Sequence, residues 1–176
     1  MLEYDELTKK LYQENINWIY SIIKKLDEKG IEKKDKFISN PYNFNEMISL
    51  GYYFMNLYVI SNISSYSTDD KDLIMTSIIK GASTYNQTKL EAVYKRGINL
   101  AKIVESYNSI VRKTKAYSPN DGLKARVVAV DEVYRRLYDV FNKQHFNIFI
   151  KIFLSSYFEF ERRVETTIHN YLNKDV

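Results

Sequence analysis

An all-α fold, an antiparallel bundle of five or six helices, is what this sequence predicts, and three observations predict it. Apolar residues recur at three- and four-residue spacing through almost the whole length. Gly and Pro are scarce, 5 and 2 in 176 residues, which removes most of the punctuation that β-sandwiches and α/β folds require. The breaks that remain are short, so consecutive helices must fold back on one another. The length suits one domain, 1–176, with a core of its own.

The elements follow in order. Leu7, Leu11, Trp18, Ile22 and Leu26 lie on one face of a first helix, and Gly30 is its natural stop. A lysine-rich connection over 31–39 leads to the breaker pair Asn40-Pro41. Phe44, Met47, Ile48, Phe54, Leu57 and Tyr58 mark a second helix with Gly51 inside it. Ser67-Thr68-Asp69-Asp70 reads as an N-cap with acids in the first turn, suited to the positive end of a helix dipole. The short helix it opens is expected to end near Gly81. Ser83 or Thr84 then caps a helix through Leu90, Val93, Ile98, Ala101, Val104 and Val111. The clearest turn is Ser118-Pro-Asn-Asp-Gly122. After it, Leu123, Val127, Val130, Tyr134, Leu137 and Phe141 form an unbroken stripe, which outweighs the strand propensity of the valines at 127–133. Phe146, Phe149, Phe153, Tyr157, Phe160, Val164 and Ile168 repeat that spacing in the last helix.

Charge is distributed unevenly along this helical frame. Residues 1–87 carry 10 Lys against 12 acids, whereas 88–163 carry 15 Lys+Arg against 8 acids, a net of +7. All seven arginines lie in the second segment: Arg96, Arg112, Arg126, Arg135, Arg136, Arg162 and Arg163. Guanidinium grips phosphate with two parallel hydrogen bonds, so this layout points to a phosphate-facing surface. Several of these cations have an acid four residues upstream: Asp131 for Arg135, Glu132 for Arg136, Glu159 for Arg163, Glu91 for Lys95 and Asp139 for Lys143. Such pairs describe a solvated face equally well. Arg112, Lys113, Lys115, Lys124 and Arg126 have no acid so placed, and the 118–122 turn is expected to bring them together. Lys89 and Arg96 extend the cluster along the preceding helix, and Arg135, Arg136, Arg162 and Arg163 form a second rank. A contact of this kind is to nucleic-acid backbone, RNA or DNA, without sequence reading. Of the 16 tyrosines, Tyr58, Tyr94, Tyr107, Tyr134 and Tyr157 fall on apolar stripes and belong to the core. Tyr117 and Tyr138 are the candidates for base stacking.

Catalytic signals are thin. Zero cysteine excludes disulfides, thiolate metal sites and thiol nucleophiles. There is no Glu-x-x-His pair, so no metal and no cofactor are expected, and His145 reads as a helix-terminal residue. Arg162 or Arg163 followed by His169 resembles the R-x(4–6)-H signature of HEPN-type ribonucleases, with Glu165 between them. Chemically that could place a general acid–base beside a phosphate-stabilising cation. The same three residues are also a plain solvated face. The N-terminus has no apolar leader core, and 146–160 is broken by Asn147, Lys151, Ser155, Ser156 and Glu159. A soluble, cytoplasmic protein with no membrane span is expected.

Three stretches together resemble the helical C-terminal region of type I CRISPR Cascade large subunits, and the separate small subunits that correspond to it. They are EMISLGYYFMNLYVI at 46–60, KGASTYNQTKLEAVYKRGINLAKIV at 80–104 and IKIFLSSYFEFERRV at 150–164. The second is similar to the family's small-residue turn followed by a long helix. The third resembles its closing helix, with Ser155-Ser156 where the family has a glycine. The resemblance implies a non-enzymatic subunit, present in several copies beside other subunits, that holds the guide–target duplex or the displaced strand. A protein–protein interaction bundle without nucleic acid is the remaining alternative.

Overall fold

The structure, a computed structural model, describes residues 3–84 and 121–174. Among them are six α-helices and no strand: α1 (Glu3–Glu28), α2 (Lys34–Ile38), α3 (Pro41–Ser61), α4 (Thr68–Thr84), α5 (Asp121–Leu137) and α6 (Lys143–Leu172), with a 3₁₀ turn at Ile63–Ser65. The expected all-α bundle is what the chain forms. The expected helix over 90–111 and residues 118–120 of the expected 118–122 turn lie outside the described residues, whereas Asp121 and Gly122, read as the end of that turn, are the first two residues of α5.

Local chemistry sets the ends of these helices. Gly30 adopts φ +66°, and the amides of Gly30 and Ile31 bond back to Asp27 O and Leu26 O, closing α1 with the left-handed residue that favours glycine. The 31–39 connection contains the short helix α2, which buries Phe37. Asn40-Pro41 starts α3 as well as breaking the chain. Asn40 Oδ1 accepts from the Tyr42 amide at 3.0 Å, and Pro41 takes the first helical position, where its missing N–H costs nothing. Ser67 Oγ accepts from the Asp70 amide at 3.1 Å, the expected cap of α4. Asn142 Oδ1 does the same for His145, so His145 stands in the first turn of α6 as expected.

Two boundaries differ from the periodicity. Gly81 does not end α4, which continues to Thr84. Gly81 is buried, and a Cβ there would lie 2.9 Å from the Tyr52 hydroxyl, so the glycine admits a close α3 neighbour and is no helix stop. The 80–83 segment is therefore helical and not the small-residue turn that the family resemblance implies. The stripe expected to run unbroken to Phe141 leaves the helix at Leu137, and Val140 and Phe141 are 79% and 50% exposed in the turn. Asn142 must cap α6, which forces the chain out of α5 just before it.

Helix α6 is the axis of the packing. It runs antiparallel to α1, with Trp18 Nε1 donating to Ser156 Oγ at 3.1 Å near the middle, a ring nitrogen of His145 3.1 Å from Ile31 O at one end, and Lys174 paired with Glu6 at the other. Trp18 stacks on Phe160 (centroids 4.4 Å, 10°) and meets Phe153 edge-on, so one indole joins α1 to α6. Ser156 has a structural reason to be polar: its hydroxyl accepts from Trp18 and donates to Phe153 O. α3 also runs antiparallel to α1, Asn15 Nδ2 donating to Ile48 O at 3.1 Å beside Gly51. α5 lies against α6 in the opposite direction, from Arg126–Glu161 to Tyr134–Phe149. Among the described residues, no helix is long and apolar enough to cross a membrane.

Candidate nucleic-acid interface

Of the eleven cations that the sequence nominates, Lys89, Arg96, Arg112, Lys113 and Lys115 lie outside the described residues, as does the side chain of Lys124 on α5. The turn-driven convergence of the five-cation cluster lies outside them as well. Tyr94, Tyr107, Tyr117 and the Glu91–Lys95 pair share that position. The remaining five arginines sit on α5 and α6, and the structure gives each a surrounding.

Arg126 has a neighbour that the sequence does not reveal. Its guanidinium donates through Nε to Glu161 Oε1 at 3.0 Å and makes a second contact through Nη2, although the two residues are 35 apart in sequence. Both side chains are nearly covered, at 13% and 15% exposure. The guanidinium also lies over the Tyr157 ring, 4.8 Å from its centroid. Burial raises the Glu161 carboxyl above its ordinary value, while Arg126 pulls it down. Arg126 was expected to lack an acid and to lead the phosphate contact. In the fold it is a strut between α5 and α6.

The second-rank arginines behave as their local acids foretell. Arg135 Nε donates to Asp131 at 2.9 Å, and Arg136 Nε donates to Glu132 at 2.9 Å. Arg136 also approaches Glu46, a fully buried carboxylate on α3, with Nη1 3.7 Å from Oε2. Arg163 pairs with Glu159, and that hydrogen bond holds the Glu159 carboxyl below its usual range. The Asp139–Lys143 relation does not share one helix, because Asp139 falls in the turn between α5 and α6. Arg162 is exposed, and among the described residues it makes no ion pair.

Tyr138 is no stacking platform. It is half-buried, edge-on to His145 with centroids 4.8 Å apart, and burial pushes its hydroxyl well above the ordinary tyrosine range. Tyr58, Tyr134 and Tyr157 are core residues, as expected. The outward face of α6 carries Arg162, Glu165 and His169, all exposed. Arg162 and His169 are separated by two turns, about 10 Å of rise. The Tyr58 hydroxyl on α3 bonds the Tyr66 hydroxyl at 3.1 Å, and the His169 ring faces the Asn173 side-chain amide at 3.1 Å. The three groups therefore do not converge on one point within a single chain. Among the described residues no group of three or more His, Asp or Glu side chains could hold a metal ion.

Acid partners divide the positive charge into two kinds. Four arginines on α5 and α6 are matched one to one by Asp131, Glu132, Glu159 and Glu161. Residues 88–124 keep eight Lys+Arg against three acids, and so hold five of the seven surplus charges. The signal that could have singled out Arg126 is Glu161 itself, four residues after Tyr157 at the edge of the buried stripe, where a carboxylate needs a cation. Comparison of the chain with protein-family models, with curated proteins and with solved structures gives no match in any of the three.

Proposed function

We propose that this chain is a non-catalytic helical subunit that holds the sugar–phosphate backbone of a nucleic acid, RNA or DNA. The supporting observation is the division of charge just described. The described arginines on α5 and α6 are largely engaged by acids, which leaves the surplus in 88–124, with Lys89, Arg96, Arg112, Lys113, Lys115 and Lys124 as its contact residues. Arg162 is the secondary contact, and Arg126, Arg135, Arg136 and Arg163 serve the fold. Backbone contact on a rigid bundle suits the Cascade-like setting of several copies beside other subunits. One copy with about five to seven such cations binds weakly, in the micromolar to 100 micromolar range, and linked copies add avidity.

The test measures binding of single- and double-stranded RNA and DNA at two salt concentrations. Reversal of Arg112 and Lys113 to Glu is expected to lower the slope of log K against log salt by about 2 on duplex. Reversal of Arg135 and Asp131 together should leave it unchanged. If the first variant melts like the parent and binds unchanged, the surplus is a solvated face and the chain is a protein–protein interaction bundle. Incubation with labelled RNA checks the non-catalytic part: cleavage by the parent that is lost in His169→Ala would replace this reading with a ribonuclease.

A further inference from the structure

The outward face of α6 has a repeat of its own, distinct from the one that builds the core. Ser155, Phe158, Arg162, Glu165 and His169 follow one another at three, four, three and four residues, and every one of them is exposed. Phe158 is 67% exposed, a large apolar ring set in the middle of a polar line. Arg162 and Glu165 carry opposite charges, and neither forms an ion pair among the described residues. Three- and four-residue spacing keeps a stripe on one side of a helix and is the spacing that two antiparallel helices share across a seam.

We infer that this stripe is a contact with a second copy of the same chain, α6 against α6, antiparallel about a two-fold axis passing between Arg163 and Val164. Charge complementarity fixes both the partner and the register. With that axis, Arg162 of one copy faces the partner's Glu165, and the symmetric pair repeats the contact, giving two equivalent ion pairs at the centre. Phe158 then faces the partner's His169 on each side, ring to ring, and Ser155 faces the partner's Leu172. Sliding the pair by three residues one way or the other sets Arg162 beside Arg162 or Glu165 beside Glu165, which like-charge repulsion disfavours. The exposed aromatic is the anchor, and the central charges act as the register lock. Glu165 is exposed and offers its carboxylate across the seam. The pairing does not need the phosphate-binding reading: it uses none of the main contact residues over 88–124 and shares with that reading only Arg162, its secondary contact.

The test is sedimentation or light scattering over a wide concentration range with the full chain. The parent should dimerise, and Phe158→Ser, Arg162→Glu and Glu165→Arg should each weaken the dimer about tenfold or more. The double swap Arg162→Glu with Glu165→Arg should restore it to within about threefold, because the two-fold axis keeps opposite charges facing. Register is read separately. The chain has no cysteine, so in an equimolar mixture of the single variants Phe158→Cys and His169→Cys the proposed register yields the 158–169 disulfide, while either variant alone should stay uncross-linked. Each copy then carries a single cysteine, so any disulfide must join two copies. Folding of each variant is checked by melting, which substitutions at exposed positions should not move. A parent that stays monomeric, a dimer indifferent to the single reversals, or a double swap no better than the singles would overturn the assignment. Failure of the cysteine pair to cross-link a dimer that does form would overturn the register.

Discussion

Arg126→Ala separates a strut from a nucleic-acid contact, and the fold predicts its effect. The substitution leaves Glu161 covered by α5 and α6 without its cation. Breaking a buried ion pair costs about 3–5 kcal/mol, and the residual exposure of this pair, 13% and 15%, lowers the figure to about 2–3 kcal/mol. Loss of the guanidinium from the Tyr157 ring adds about 0.5 kcal/mol. For a chain of this size each kcal/mol moves the melting temperature by about 2–4 °C, so a fall of about 6–10 °C is expected. The deficit must also depend on pH in one direction. The Glu161 carboxyl is already raised by burial, and Arg126 is the group that lowers it, so the variant raises it further. A carboxyl raised on folding holds its proton more tightly in the native state. Its contribution is full below the unfolded value of 4.5 and is lost as pH climbs through the folded one. The difference in Tm between Arg126→Ala and the parent should therefore be small near pH ~4 and greatest at pH ~7–8. Arg126→Met with Glu161→Gln, which removes both charges, should melt within about 1 kcal/mol of the parent. The reasoning fails if Arg126→Ala melts like the parent at neutral pH, or if its deficit does not shrink in acid.

Three further outcomes follow from the packing. Gly51→Ala should destabilise by about 2 kcal/mol despite the better helix propensity of alanine. The new Cβ falls 1.8 Å from Asn15 Oδ1, and displacing Asn15 adds overpacking strain and loses its bond to Ile48 O. The Asn15→Ala/Gly51→Ala double variant should recover much of this in chemical denaturation. Ser156→Ala should cost about 1–3 kcal/mol by leaving the buried Trp18 N–H without its acceptor, and the single Trp of the chain reports it by fluorescence. Glu6, held down to about 2 by hydrogen bonds from Lys174 and Lys10, contributes stability that is full above 4.5 and fades as pH falls from 4.5 towards about 2. Acid titration of Glu6→Gln against the parent should show the difference between them closing over that range.

Helix faces were legible in the sequence because burial depends on local spacing. Leu7, Leu11, Trp18, Ile22 and Leu26 are all covered, as are Phe149, Phe153, Tyr157, Phe160, Val164 and Ile168. The arginine pairs at four-residue spacing were legible for the same reason, since both partners sit on one helix. Arg126–Glu161 was not, because nothing in either local sequence specifies which helices meet. Gly81 shows the same limit. A glycine between a buried stripe and a cap reads as a stop, yet only the approach of Tyr52 from α3 explains why it must lack a side chain inside a helix. The α5 end at Leu137 was hidden because periodicity continues to Phe141 while the cap that redirects the chain, Asn142, comes after it.

The bond from Trp18 to Ser156 spans 138 residues, and it has a consequence for how the protein is made. At roughly 5–20 residues per second of synthesis, α1 emerges about 7–28 s before the serine that will accept from its indole. Throughout that interval Trp18 lacks Phe153 and Phe160 as well, so the side of α1 that faces α6 must wait in water or against provisional neighbours. Nascent chains halted before residue 150 should therefore carry an open aromatic surface that a holdase can grip. Release should coincide with the arrival of α6, which makes α6 the helix that closes the core.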